Sequence, residues 1–272
     1  MFIAHTVMLN VLRFKKGNVV KQENMNNKIY IVVIGILIFV SLELLFPKEK
    51  ILSRKKIKRA IKNVFFWLLN IGITPIIILP ITIAATQIKI YQLFYFNNEI
   101  ITFLFNLIIV DLFLYWWHRA NHEIPLLWRF HQIHHLDETL DVTSAVRFHF
   151  GEVILSALVR FLLIIIFSIS LINLLLIEAI ILICSIFHHS NISIPKKIEN
   201  FISFIIVTPS IHWVHHHKRQ KETDSNYSTI FSWWDKIFRS RSFFKRKLGM
   251  PIGVEGKKDQ TIKKLILKPF IK

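Results

Sequence analysis

Four apolar blocks, at 29–46, 64–86, 100–117 and 153–187, alternate along the chain with polar stretches rich in lysine and arginine. That segregation predicts helices crossing a bilayer, joined by charged connections. The first block, closed by Pro47, and the third each have 18 residues, close to the ~20 that span a hydrocarbon core. The second contains Pro75 and Pro80, which predicts a kink or tilt, because each proline removes a helix donor. A single helix over 153–187 would measure roughly 52 Å against a core of about 30 Å. A helical hairpin turning near Ser168 to Asn173 is therefore predicted. Arg160 and Glu178 lie at similar distances from that turn, and unpaired charge at that depth is costly, so the two are expected to pair.

Charge then orients the blocks. Residues 47–63 contain Lys48, Lys50, Arg54, Lys55, Lys56, Lys58, Arg59 and Lys62 against Glu49 alone, which predicts a cytoplasmic segment. Counting crossings from there puts 118–152 and 188–272 in the same compartment. Five cations in 1–28 conflict with this topology, and a start at Met25 would leave only Lys28. The expected organisation is an N-terminal extension (1–28), transmembrane helices 1–3 (29–117), histidine boxes 1 and 2 (118–152), a transmembrane hairpin (153–187), and a third box with a basic tail (188–272). The fold class is an all-α, multi-pass integral membrane protein of about four to five transmembrane helices with a cytoplasmic helical histidine domain. Its setting is a bacterial inner membrane or the endoplasmic reticulum.

Composition narrows the chemistry. The chain is 53% apolar yet has a net charge of +18, which excludes a soluble enzyme and a disordered polycation. The cations flank apolar blocks, so they read as orientation signals and not as a nucleic-acid surface. A basic tail, with Lys245, Arg246, Lys247, Lys257, Lys258, Lys263 and Lys264, suits anionic headgroups or an acidic electron carrier. Cys184 is the single cysteine, so no intramolecular disulfide and no cysteine-rich metal site is available.

Twelve of the 13 histidines fall between 118 and 217. His118 and His122 form an HxxxH; His131, His134 and His135 form an HxxHH; His212, His215 and His216 repeat that spacing, followed by His217. Residues i, i+3 and i+4 share a helix face, so each group aims its imidazoles one way. Imidazole suits Zn, Cu, Fe and Ni, and about eight imidazoles exceed the four of one tetrahedral zinc, which points to two metals. Asp111 lies two turns before His118, where a carboxylate is expected to accept a ring N–H and orient a ligand. Glu123, Asp137, Glu138 and Asp141 are placed nearer the surface, as orienting groups or plain solvated acids.

The runs His118-Arg119-x-x-His122, Leu127-Trp128-Arg129-Phe130-His131-x-x-His134-His135, Arg147-Phe148-His149, His189-Ser190-Asn191 and Thr208-Pro209-x-x-His212-x-x-His215-His216 resemble the fatty acid hydroxylase/sterol desaturase superfamily. Asp224-Ser225-Asn226-Tyr227 and Trp234-Asp235-Lys236-Ile237-Phe238 are similar to its usual ending. Phe150 and Ser228 depart from the proline and glycine common there. The resemblance implies a membrane non-haem di-iron enzyme that uses O2 to hydroxylate or desaturate a lipid C–H bond. It implies metal ligands at His118, His122, His131, His134, His135, His212, His215 and His216, a ninth at His189, and His149 as a ligand or close support. His188 and His217 are extra to the pattern. Sterol, fatty acyl chain, alkylglycerol, carotenoid and sphingoid base all suit as substrate. No flavin or nucleotide glycine fingerprint is present, so a separate electron-donor protein is expected. The competing class is a membrane-embedded dinuclear metal hydrolase, separated by metal identity and O2 dependence.

Overall fold

The computed structural model describes residues 33–50, 53–88 and 96–271. The expectations for residues 1–28, including a start at Met25, lie outside the described residues. Among the described residues the fold is helical with no strand, only isolated bridges such as Ile206 with Phe231.

Helix α1 (Val33–Leu45) is apolar. Its Glu43 is tied across the chain, accepting the N–H groups of Val142 (2.9 Å) and Asn191 (3.0 Å). Helix α2 (Ser53–Ile73) passes through a π-helical turn (Thr74–Ile78) into α3 (Leu79–Gln87). Pro75 and Pro80 thus widen the helix locally instead of ending it, since a π turn accommodates the missing donors and ring bulk. The hydroxyls of Thr74 and Thr82 donate to the carbonyls four residues back, at 2.7 and 2.8 Å.

The basic stretch at 47–63 is only partly a connection, because α2 starts at Ser53. Arg59 is buried, and its guanidinium donates to Asp137 (3.0 Å), Thr139 O (2.7 Å), Ser144 Oγ (3.1 Å) and Asp141. Asp137 and Asp141 are consequently buried partners of a cation, not solvated acids. Arg59 is pulled inside by those two carboxylates and by the short 3₁₀ turn Val142–Val146 that Asp141 caps.

Helix α4 (Glu99–Glu123) is capped by Asn98, whose side chain accepts from Ile100 N and Ile101 N. It runs past its apolar block, so His118 and His122 ride on the same rigid element. Pro125 forces Ile124 to an extended conformation, and the chain restarts as α5 (Pro125–His135), the second histidine helix. Helices α6 (Phe150–Ile166) and α7 (Leu171–His189) reverse through 167–170, where Ser168 takes φ 48°. Arg160 and Glu178 pair across this reversal, as their matched depth requires. Leu107, Val110, Ile164, Ile177 and Ile181 bury α4, α6 and α7 against one another.

Beyond α7 come α8 (Lys196–Ile202), α9 (Pro209–His215), α10 (Gln220–Thr223), α11 (Trp233–Ile237) and α12 (Ile262–Leu267). The tail returns to α2 and to the end of the 3₁₀ turn through Asp259, which pairs with Arg147 (2.5 Å) and Lys62 (2.7 Å). Among the described residues, three helices are long and apolar enough to cross a membrane: Lys55–Gln87, Glu99–Glu123 and Leu171–His189. Val33–Leu45 is apolar but shorter. The architecture is that of a membrane protein.

Candidate metal centre

The ends of α4, α5, α7 and α9 converge, and nine imidazoles meet there in two groups. One comprises His118, His122, His131, His135 and His215; the other comprises His134, His189, His212 and His216. Within each group the ring nitrogens lie within 4.8 Å of one another. The alternation follows from helical phase. His131 and His135 are four apart and share a group, whereas His134 faces across to His189 and His216.

The hydrogen bonds fix the proton positions. Nδ1 of His118 lies 2.8 Å from Tyr227 O, that of His134 3.2 Å from Arg147 O, that of His189 2.7 Å from Ser185 O and that of His215 2.6 Å from Ser225 O. A carbonyl oxygen only accepts, so each of these Nδ1 atoms is protonated and each Nε2 is left as a bare lone pair. Carboxylates do the same for His122, through Asp224 (3.2 Å), and for His131, through Glu152 (2.8 Å).

Ring Nε2 atoms then face one another. His134 and His189 meet Nε2 to Nε2 at 3.1 Å, His189 and His212 at 3.0 Å, His212 and His216 at 3.1 Å, and His131 and His135 at 3.2 Å. Two neutral rings with both Nε2 atoms unprotonated repel, so His134 against His189 is no hydrogen bond. Protonating one ring is disfavoured: His134, His135, His212, His215 and His216 are held well below the ordinary 6.5, first by burial and then by neighbouring imidazoles. Lone pairs gathered at this spacing match nitrogens sharing one cation, since two ligands about 2.1 Å from an ion at right angles stand about 3.0 Å apart. Buried, partnerless His122 Nε2 and His215 Nε2 add to the first group. The residues present therefore fit two metal ions with an all-imidazole, neutral donor set.

His149 stands outside both groups. Its Nδ1 accepts Gly151 N–H at 3.0 Å as the cap of α6, and its Nε2 lies 3.0 Å from Ile266 O. Both ring nitrogens are thus engaged with backbone, and neither is aimed into either histidine group. His217 accepts Arg219 N–H at 2.9 Å and packs on Phe244. His188 lies beside the centre, its ring centroid 4.0 Å from that of His212.

Asp111 also differs from expectation. Its carboxylate accepts Ile230 N–H (2.9 Å), Phe231 N–H (3.0 Å) and Trp234 Nε1–H (2.8 Å). Seven residues of helix separate it from His118 by about 10 Å along the axis, too far for contact, and the loop after Tyr227 fills that gap. Asp111 therefore pins the loop whose Tyr227 carbonyl orients His118. The direct orienting carboxylates are Glu152 and Asp224. Glu152 was hidden at the edge of an apolar block; Asp224 belonged to a recognised tail motif without a role.

The fatty acid hydroxylase family description matches residues 103–240. Human alkylglycerol monooxygenase is 31% identical over 137 residues, 47% of this chain and 28% of that protein. The Danio rerio alkylglycerol monooxygenase is 30% identical over 135 residues, with the same two shares. Ornithine lipid hydroxylase OlsE of Rhizobium tropici is 28% identical over 164 residues, 60% of this chain and 49% of that protein. The chain thus spans less than half the length of these relatives. No solved structure matches. A match across more than half the chain, enclosing every histidine of both groups, makes this protein a member of the fatty acid hydroxylase family.

Proposed function

We propose that this chain is a membrane lipid oxygenase, using O2 to hydroxylate or desaturate a C–H bond of a lipid. The observation that supports it best is the face-to-face meeting of His134 and His189 lone pairs within a nine-imidazole centre. The relatives are named for lipids, an alkylglycerol and an ornithine lipid, which agrees with a lipid substrate here.

One metal would be held by His118, His122, His131, His135 and His215, the other by His134, His189, His212 and His216. A pair of iron ions supplies the redox change that O2 chemistry needs and that zinc lacks. The protein's own part is positional. Tyr227 O, Asp224, Glu152, Arg147 O, Ser185 O and Ser225 O retain the Nδ1 protons and keep the Nε2 lone pairs directed inward. Burial of the rings excludes water that would compete with substrate. For hydroxylation, C–H, O2, two electrons and two protons become C–OH and water, with the electrons delivered by a separate donor protein.

The same reading places the centre at the cytoplasmic face of a multi-pass protein of about four to five spans. In it, 29–117 forms the first three spans, 153–187 the hairpin, and 118–152 with 188–272 the metal-bearing parts. The basic tail then lies against anionic headgroups. Lipids of cells making the native protein are to be compared, under 18O2, with those of cells making the His134→Ala, His135→Ala variant. An 18O-labelled or newly unsaturated lipid found only with the native protein is expected. Identical lipid profiles would sink the reading, as would turnover of a zinc-loaded sample without O2, which belongs to the hydrolase class.

A further inference from the structure

The hairpin helices are apolar, yet each has a polar stripe. Glu152, Ser156 and Arg160 follow at four-residue spacing on α6, and α7 presents Glu178, Ser185 and His189. All six line one cavity of about 110 Å³, together with His118, His131, His134 and His212. Residues four apart share a helix face, so the α6 stripe is continuous along the cavity. A single water needs only ~10–15 Å³, so the space takes a larger guest. Leu114, Phe148, Val153 and Ile181 make the remaining wall largely apolar.

The two ends of the stripe differ. At one end Glu152 holds His131, and so belongs to the metal centre. At the other, eight residues and about 12 Å further along the helix, Arg160 is paired with Glu178. Arg160 is only 3% exposed, and its Nε–H is buried without an acceptor among the described residues. A buried donor lacking a partner is unfavourable, and an arriving oxygen acceptor relieves it. The sign of that acceptor follows from Glu178. Its carboxylate already balances the guanidinium, so a second anion would meet repulsion, whereas a neutral oxygen would not.

We infer that this cavity seats a lipid bearing a neutral oxygen, a hydroxyl or carbonyl, which Arg160 holds through Nε–H while a carbon about 12 Å away lies at the histidine centre. The fate of that carbon rests on the oxygenase reading; the binding does not.

Octadecanol, octadecane and octadecanoate, each with the same mid-chain diazirine, are to be photo-crosslinked to the purified protein in nanodiscs, without reductant. Labelled peptides from Phe150–Ile166 and Leu171–His189 are counted by mass spectrometry. The alcohol is expected to label these helices about tenfold more than the alkane, the difference one added hydrogen bond makes. Arg160→Lys keeps a cation for Glu178 but has no Nε–H, and should bring the alcohol down to the alkane. Equal labelling by alcohol and alkane overturns the inference, as does preferred labelling by the carboxylate. An Arg160→Lys protein that still prefers the alcohol also overturns it. The three-probe comparison on the native protein decides the matter even where the variant does not fold. Selective alcohol binding with no lipid oxidised under 18O2 would overturn the oxygenase reading alone; oxidised lipid with unselective binding would overturn this inference alone.

Discussion

His134 and His189 meet Nε2 to Nε2 at 3.1 Å, and each has already committed its only proton, His134 to Arg147 O and His189 to Ser185 O. Two such lone pairs stay together in a buried site only around a cation. Replacing either ring by alanine removes one of four nitrogens from its group and leaves the other five-histidine group intact. The metal content of purified His134→Ala or His189→Ala protein, measured by plasma mass spectrometry, should fall from about two ions per chain to about one. His149→Ala, which removes a helix cap and no converging lone pair, should keep the full content while lowering stability by about 0.5–2 kcal/mol.

Glu152 and Asp111 are both buried carboxylates, and their contacts assign them different effects. Glu152 accepts from His131 and so sets the basicity and aim of a ligand. Glu152→Ala should weaken metal binding about tenfold to a hundredfold, read by competition with a chelator. Asp111 accepts three N–H groups from the loop end at 230–231 and from Trp234 in α11. Asp111→Asn leaves at least one of those buried donors facing an amide N–H₂. It should lower unfolding stability by about 1–3 kcal/mol while metal affinity in the folded fraction changes far less.

What was legible along the chain was whatever local periodicity or symmetric depth encodes. His131, His134 and His135 announce a shared direction through their spacing alone, and Arg160 and Glu178 announce a pair because a hairpin sets them level. What was illegible depends on partners distant in sequence. Arg59 read as one more orienting cation because nothing near it shows that Asp137 and Asp141 will enclose it. His149 sits in a motif that resembles a ligand site, yet capping geometry, which appears only once α6 starts at Phe150, claims its Nδ1. Asp111 has the right helical phase for His118 and the wrong height.

The tail's return to the centre is sensitive to acid. Burial alone would raise the Asp259 carboxyl, but hydrogen bonds and charge from Arg147, with Lys62, outweigh it and hold the group below its ordinary 3.8. A carboxyl depressed in the folded state contributes stability that is present above about pH 3.8 and lost as pH falls through the lower folded value. Arg147 also supplies the carbonyl that orients His134, so the loss reaches the metal centre. Limited proteolysis at stepped pH should show 257–271 becoming cleavable below about pH 3.8. Asp259→Asn should make that segment cleavable at neutral pH and abolish the step.

Gly151, at the start of α6, lies directly against the second histidine helix. A Cβ built there would lie 2.5 Å from Cε1 and 2.6 Å from Cδ1 of Phe130, the residue that precedes His131. Phe130 has little room to retreat, since its ring packs on His149 (5.3 Å between centroids) and Phe270 (5.6 Å). Gly151→Ala should therefore destabilise the protein by about 1–3 kcal/mol, the range of overpacking, although alanine itself favours a helix. If the clash with Phe130 is the cause, shortening that side chain must relieve it. The Gly151→Ala, Phe130→Leu double variant should be more stable than the sum of the single changes predicts, by about 0.5 kcal/mol or more in a double-mutant cycle. Strict additivity in thermal unfolding would show instead that the glycine is required for some reason other than its approach to the ring beside His131.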